Sequence, residues 1–314
     1  MSLVCGERTR PQGYPYPSAN KAGACLVSHE YLPSGAEHCH VLPFNPMSGR
    51  FHPLFLARDY DKCVVAKGKC RLDDPPKKYK PLFTVVDFSS IGFRTMFDSW
   101  IVHRIVHPVS ALEYHGLLMF HAPDSGVVNI SEQVALEPSI TQEIARALGL
   151  KHPAHRGEDV IMSSDFVVTF ERAGGRLERQ AFSLKREQDI TPRVLEKFAI
   201  EFAYWRSRKI ILSFILDTKL PRQLIDNVEL IMEFYDPDRL PCDRRVIDLV
   251  GKWIISHLVT KDALRNVCSQ CDRTLGLARG TALAVTYHLT ATRVIPLNLR
   301  TAFLPNAAPS LVVS

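Results

Sequence analysis

Residues 163–187 read SSDFVVTFERAGGRLERQAFSLKRE, and this stretch limits the fold more than any other. Two runs rich in β-branched and aromatic residues flank a turn at Ala173-Gly174-Gly175-Arg176, which predicts a hairpin of two long strands. Just beyond it, Thr191 and Pro192 form a helix-start signal. The hydroxyl can cap the first turn, and the proline sits where a missing N–H does no harm. Leu195, Phe198, Phe202 and Trp205 recur at spacings of 3, 4 and 3, predicting one buried stripe along that helix. An apolar strand follows from Ile210. Strand, turn, strand, helix, strand builds an α/β core around a mixed sheet.

The flanking sequence extends this plan. SALEYHGLLMFH from Ser110 has the apolar spacing of a helix, VVNISEQVALE of a strand, and ITQEIARALGL of a short helix stopping at Gly149. After Asp217 the pattern changes to four helices and an extended VIPLNL, which suggests a small winged-helix-like domain. The domains expected are an N-terminal extension or arm (1–90), an α/β domain (91–219) and a winged-helix-like helical domain (220–314). The first 60 residues, rich in Pro, Gly and His, show no sustained periodicity.

Period-2 alternation puts Asp165, Val167 and Thr169 on one strand face, and Ala181, Ser183 and Lys185 on one face of the returning strand. If the aromatic faces form the core, Asp165, Ser183 and Lys185 converge on the other side. A carboxylate and an ammonium so placed are either a structural ion pair or half of a metal-dependent site. A second carboxylate is available at Glu113, although Ser110 and Glu113 also spell a capping box. Mg²⁺ takes oxygen ligands and keeps several waters, so two carboxylates and a carbonyl are enough for it.

Composition adds limits. A net charge of +6 and a pI of about 8.9 permit nucleic-acid binding without requiring it. No apolar run is long enough to span a bilayer, and the first residues lack the apolar core of a secretory signal, so a cytoplasmic location is expected. The eight cysteines are then expected as thiols. Six basic residues between Lys67 and Lys80 read as a solvated loop, with a phosphate-contacting arm as the alternative. Cys268-Ser-Gln-Cys271 has zinc-like spacing but no second ligand pair, so both cysteines read as helix residues. His38-Cys39-His40, with His29 and His52 nearby, reads as a loop before it reads as a metal site.

HPVSALEYHGLLMFHAPDSGVVNISEQVAL resembles the opening of the TnsA endonuclease family, and IARALGLKHP, MSSDFVV, FSLKRE and PRVLEKFAIEFAYWRSRKI follow in that family's order. The resemblance covers about residues 90–300. It implies a restriction-endonuclease-like core of the PD-(D/E)xK type and a C-terminal winged-helix-like module that contacts a TnsC-type AAA+ regulator. The implied activity is Mg²⁺-dependent nicking of the five-prime strands at transposon ends, on double-stranded DNA and beside a TnsB-type transposase. One or two Mg²⁺ ions are expected. Carried over, Glu113 and Asp165 are metal ligands, the carbonyl of Leu184 completes the shell, and Lys185 positions the attacking water. Ser183 departs from the family, which usually has Glu or Gln two residues before the lysine. That departure implies a weak metal site controlled by partners, and Ser183→Glu is expected to raise partner-free nicking. Glu132, Gln133 and Glu201 are expected near the site, with a surface or supporting role as the alternative. Two other readings stand beside this one: a catalytically weak module that only bridges DNA and partners, and a stand-alone restriction or repair nuclease.

Overall fold

The computed structural model describes residues 55–87, 95–258 and 260–311. The histidine-rich segment around His38 and Cys39 lies outside them. The strands are β1 (Phe97–Ser99), β2 (Arg104–Val106), β3 (Val127–Ala135), β4 (Ala154–His155), β5 (Glu158–Asp159), β6 (Ser163–Arg172), β7 (Arg176–Lys185) and β8 (Ile211–Leu216). The α-helices are α1 (Ala111–Phe120), α2 (Pro138–Ala147), α3 (Pro192–Ser207), α4 (Arg222–Met232), α5 (Arg244–His257), α6 (Leu264–Leu275) and α7 (Thr281–Ala291).

The central sheet has the order β3-β6-β7-β8, and β3, β6 and β7 are antiparallel neighbours while β8 joins β7 in parallel. This is the mixed α/β sheet expected from the hairpin, with Gly174 and Gly175 at positive φ in its turn. Both faces are buried. Phe120 of α1 packs its ring on Phe166 and Phe182 on one face. On the other face, Val167 and Ala181 join Ile200, Tyr204 and Trp205 of α3. The face expected to be polar is therefore a second core layer, and Asp165, Ser183 and Lys185 lie toward one end of it.

The stripe assigned to α3 needs correction. Leu195 and Phe202 are 50% and 44% exposed, and the buried arc is Ile200, Glu201, Tyr204 and Trp205. Thr191 does cap the helix, accepting from the N–H of Val194 at 3.2 Å. Part of the expected N-terminal extension lies inside the core. Tyr79 belongs to the same buried cluster as Trp205, and its hydroxyl donates to the carbonyl of Glu132 at 2.8 Å. Leu72 packs against that cluster, so the basic run is anchored to the central sheet.

Beyond residue 220, α4, α5 and α6 pack around α7, which is buried on nearly every side. Four helices were expected, and four α-helices are present among the described residues. Among the described residues, the extended segment after α7 pairs at one bridge, Leu297 with Leu311. Cys268 and Cys271 are core residues of α6, and burial pushes their thiols up to about 11 and 12. Helix α4 packs on α1, where the Tyr114 hydroxyl donates to Glu229 at 2.7 Å.

Candidate active site

The site begins where two strands part. β6 and β7 pair with each other from Phe166↔Phe182 to Arg172↔Arg176. Beyond that point, Ser163 and Ser164 pair with β3, while Ser183, Leu184 and Lys185 pair with β8. Asp165 stands in the fork. Its Oδ2 accepts from the N–H of Leu184 at 2.6 Å, so a side chain takes over a ladder hydrogen bond that the backbone has released. Lys185 Nζ lies 3.4 Å from the same oxygen and donates to the carbonyl of Leu184 at 2.8 Å. The Asp165 and Lys185 side chains keep 15% and 38% of their surface in solvent.

Glu113 enters from the first turn of α1 and forms the cap as well as facing the site. Ser110 Oγ accepts from the N–H of Glu113 at 3.1 Å. The carboxylate accepts from the N–H of Val109 at 3.0 Å, from Ser110 Oγ at 3.1 Å and from Gln133 Nε2 at 2.8 Å. The neighbouring pairs Glu132↔Phe166 and Val134↔Ser164 put Gln133 across β3 from Asp165. Gln133 has φ +48°, a conformation most side chains avoid. The twist turns its carbonyl to the N–H of Leu82 at 3.0 Å and its amide to Glu113.

Of the other residues expected nearby, Glu132 belongs elsewhere. It is fully buried against Arg104, with contacts of 2.8 and 2.6 Å, and serves the edge of the sheet. Glu201 is the larger finding. It is buried on α3, accepts from Ser164 Oγ at 2.5 Å and lines a cleft together with Ser183. Trp205 Nε1 donates to Ser164 Oγ at 2.7 Å and fixes that hydroxyl. So a carboxylate reaches the neighbourhood of Ser183 from α3, not from β7. Lys197, one turn before Glu201, shares with it, Ser183 and Lys185 a cleft of about 120 Å³. Sequence reasoning passed over Lys197; the signal was its i, i+4 spacing from Glu201.

Three carboxylates thus bear on one lysine. Burial, then the charge of Asp165, pushes Glu113 up to about 8. Burial pushes Glu201 up to about 8, and Asp165 adds to the rise. Asp165 in turn raises the pKa of Lys185 and keeps it charged. Desolvation and the nearby Arg193 and Lys185 lower Lys197. Among the described residues, no three His, Cys, Asp or Glu side chains form a ready metal cage. The oxygen donors nevertheless suit a hard cation, for which one or two carboxylates, a carbonyl and waters suffice. The excess of buried acid is what a divalent ion would relieve.

A four-stranded mixed sheet whose central strands fork around an aspartate and a lysine, with a glutamate brought in by the first helix, defines a nuclease core of the restriction-endonuclease-like class. Family sequence models agree: residues 124–217 match the TnsA-like endonuclease N terminal and residues 220–299 the TnsA endonuclease C terminal, together more than half of the chain. The chain belongs to the TnsA endonuclease family. It is 29% identical over 242 residues to the transposon Tn7 transposition protein TnsA of Escherichia coli, covering 76% of this chain and 86% of that protein.

Proposed function

We propose that the protein is the Mg²⁺-dependent endonuclease subunit of a heteromeric transposase, acting in the cytoplasm on double-stranded DNA at transposon ends. It nicks the five-prime strands beside a TnsB-type transposase, under a TnsC-type AAA+ regulator. The observation that carries this reading is the fork in which Lys185 reaches both Asp165 and the Leu184 carbonyl, while Asp165 accepts from the Leu184 N–H.

Asp165, the Leu184 carbonyl and Glu113 are the groups that would hold Mg²⁺, which would supply positive charge to the phosphate and lower the pKa of a bound water. The chain's own groups do the rest. The Lys185 ammonium, held charged by Asp165, is placed to orient a water and to steady charge growing on a phosphate oxygen. Gln133 fixes the rotamer of Glu113. The apolar layers on both sheet faces restrict water to the fork.

The bridging-module alternative drew its support from Ser183. That support weakens, because Ser183 shares its cleft with a carboxylate, Glu201, that can serve in place of the missing side chain. A glutamate introduced at 183 would crowd a second acid against Glu201, so Ser183→Glu is now expected to impair nicking. The decisive test is nicking of supercoiled plasmid carrying transposon ends, with partners, across a Mg²⁺ titration. Asp165→Asn should abolish cleavage by at least about a thousandfold, in line with loss of a central electrostatic group, with an unchanged melting temperature. A well-folded Asn variant that cuts at the wild-type rate overturns the assignment.

A further inference from the structure

We infer that the solvent face of α6, in the helical region and far along the chain from the nuclease fork, is a duplex-DNA contact surface. This rests on the reading that the substrate is double-stranded DNA and adds the element that grips it. The helix divides cleanly. Leu264, Val267, Cys268 and Cys271 are buried, while Arg265, Asn266, Gln270 and Arg273 are exposed and Ser269 is half-exposed beside them.

The exposed arc carries no acid. The one acid in the helix, Asp272, is buried, and its two oxygens accept from the N–H groups of Ala282 at 2.8 Å and Gly280 at 2.7 Å, capping α7. A carboxylate that could have neutralised the face is thus withdrawn into the fold. Arg279, exposed in the turn after the helix, extends the positive charge, and exposed Lys261 and Asp262 precede its start. Arg273 and Arg279 make no ion pair among the described residues. Arg265 is held by Asn306 Oδ1 at 2.5 Å.

The neighbouring helices differ. α4 exposes Asp226 and Glu229, and α5 exposes Asp248 among Arg244, Arg245 and Lys252, so each carries an acid on its solvent face. Arginine with asparagine, glutamine and serine is the side-chain set that bonds both phosphates and base edges. Twelve residues give a helix about 18 Å long, and an α-helix about 10–12 Å across fits a major groove about 12 Å wide. A protein partner would more often ask for an apolar anchor at the centre of such a face, and this arc has none.

The test is fluorescence anisotropy of a labelled 30-base-pair duplex with the full-length protein in EDTA, so that no cutting is needed, over a salt series. Arg273→Glu with Arg279→Glu should weaken binding by about tenfold or more and lower the salt slope by about one per lost phosphate contact. A second pair, Arg273→Gln with Arg279→Gln, guards against folding defects and should give a smaller loss in the same direction. If wild type binds duplex and both pairs bind equally well, the inference is overturned while the nuclease reading stands. If the pairs lose only their affinity for an AAA+ regulator, the face belongs to a protein and the inference is also overturned. If wild type binds no duplex at all, the DNA-substrate reading itself fails.

Discussion

Glu113 and Glu201 show how much a buried acid can cost the fold that holds it. Both are pushed up to about 8, chiefly by burial. The sign follows from proton counting. Between the unfolded value near 4.5 and the folded value near 8, the folded state binds more protons than the unfolded one. Stability from these groups is therefore fully present below about 4.5 and lost as pH rises through about 8. Glu201→Gln should flatten that loss, so that in EDTA the variant gains on wild type between pH 5 and pH 9 in urea titrations. An unchanged difference between the two proteins across that range would mean Glu201 is charged or solvated in the fold. Glu113→Gln is a separate case, because its carboxylate also accepts from Val109 and Ser110. Loss of the cap alone would cost roughly 0.5–2 kcal/mol and spare activity. We expect the opposite pattern, with nicking removed and the melt little changed, since relief of a buried charge offsets the weaker cap.

At the scale of elements, the placement of α1 decides whether Glu113 reaches the fork. Gly116 lies against β7, where an added Cβ would come 2.6 Å from Leu184 Cδ2. Leu184 is buried and its carbonyl faces Lys185, so it has little room to retreat. Gly116→Ala should gain about 1 kcal/mol in helix propensity and lose about 1–3 in overpacking. It should lower cleavage more than stability, and nicking rates compared with thermal melts will separate the two effects. The hairpin β6–β7, the caps at Ser110 and Thr191 and the pair Asp165–Lys185 were legible because each follows a local period or a fixed spacing. The α3 stripe was misplaced for a physical reason. Its buried arc contains an acid, and a hydrophobic pattern cannot register Glu201 as interior. The hairpin β1–β2 and the packing of Tyr79 were also illegible, since three-residue strands and aperiodic segments carry no repeat. The same holds for Gln133, whose left-handed φ depends on contacts from Leu82 and Glu113 that lie far away in sequence.

Across the whole molecule, the residues of the fork all precede 220, yet the helix that supplies Glu113 is gripped from beyond it. Tyr114 follows Glu113 in sequence and donates to Glu229 of α4, and Arg222 lies 3.2 Å from His115. One face of α1 thus holds the site while the next holds the helical region. Any load on that region, whether duplex on α6 or a protein partner, has a direct mechanical path to Glu113 through α4 and α1. Removing the helices should therefore harm the site as well as any binding they perform. A chain ending at Lys219 would expose the α1 surface that α4 now covers. It should melt lower than the full chain, and it should nick more weakly even on short duplexes at saturating concentration. A milder probe is Tyr114→Phe with Glu229→Gln, which removes one hydrogen bond worth about 1 kcal/mol and leaves the α6 face intact. If α1 couples the two regions, this pair should bind duplex as wild type but respond less to added partners in the nicking assay. Equal stimulation of pair and wild type would show that the path does not run through that contact.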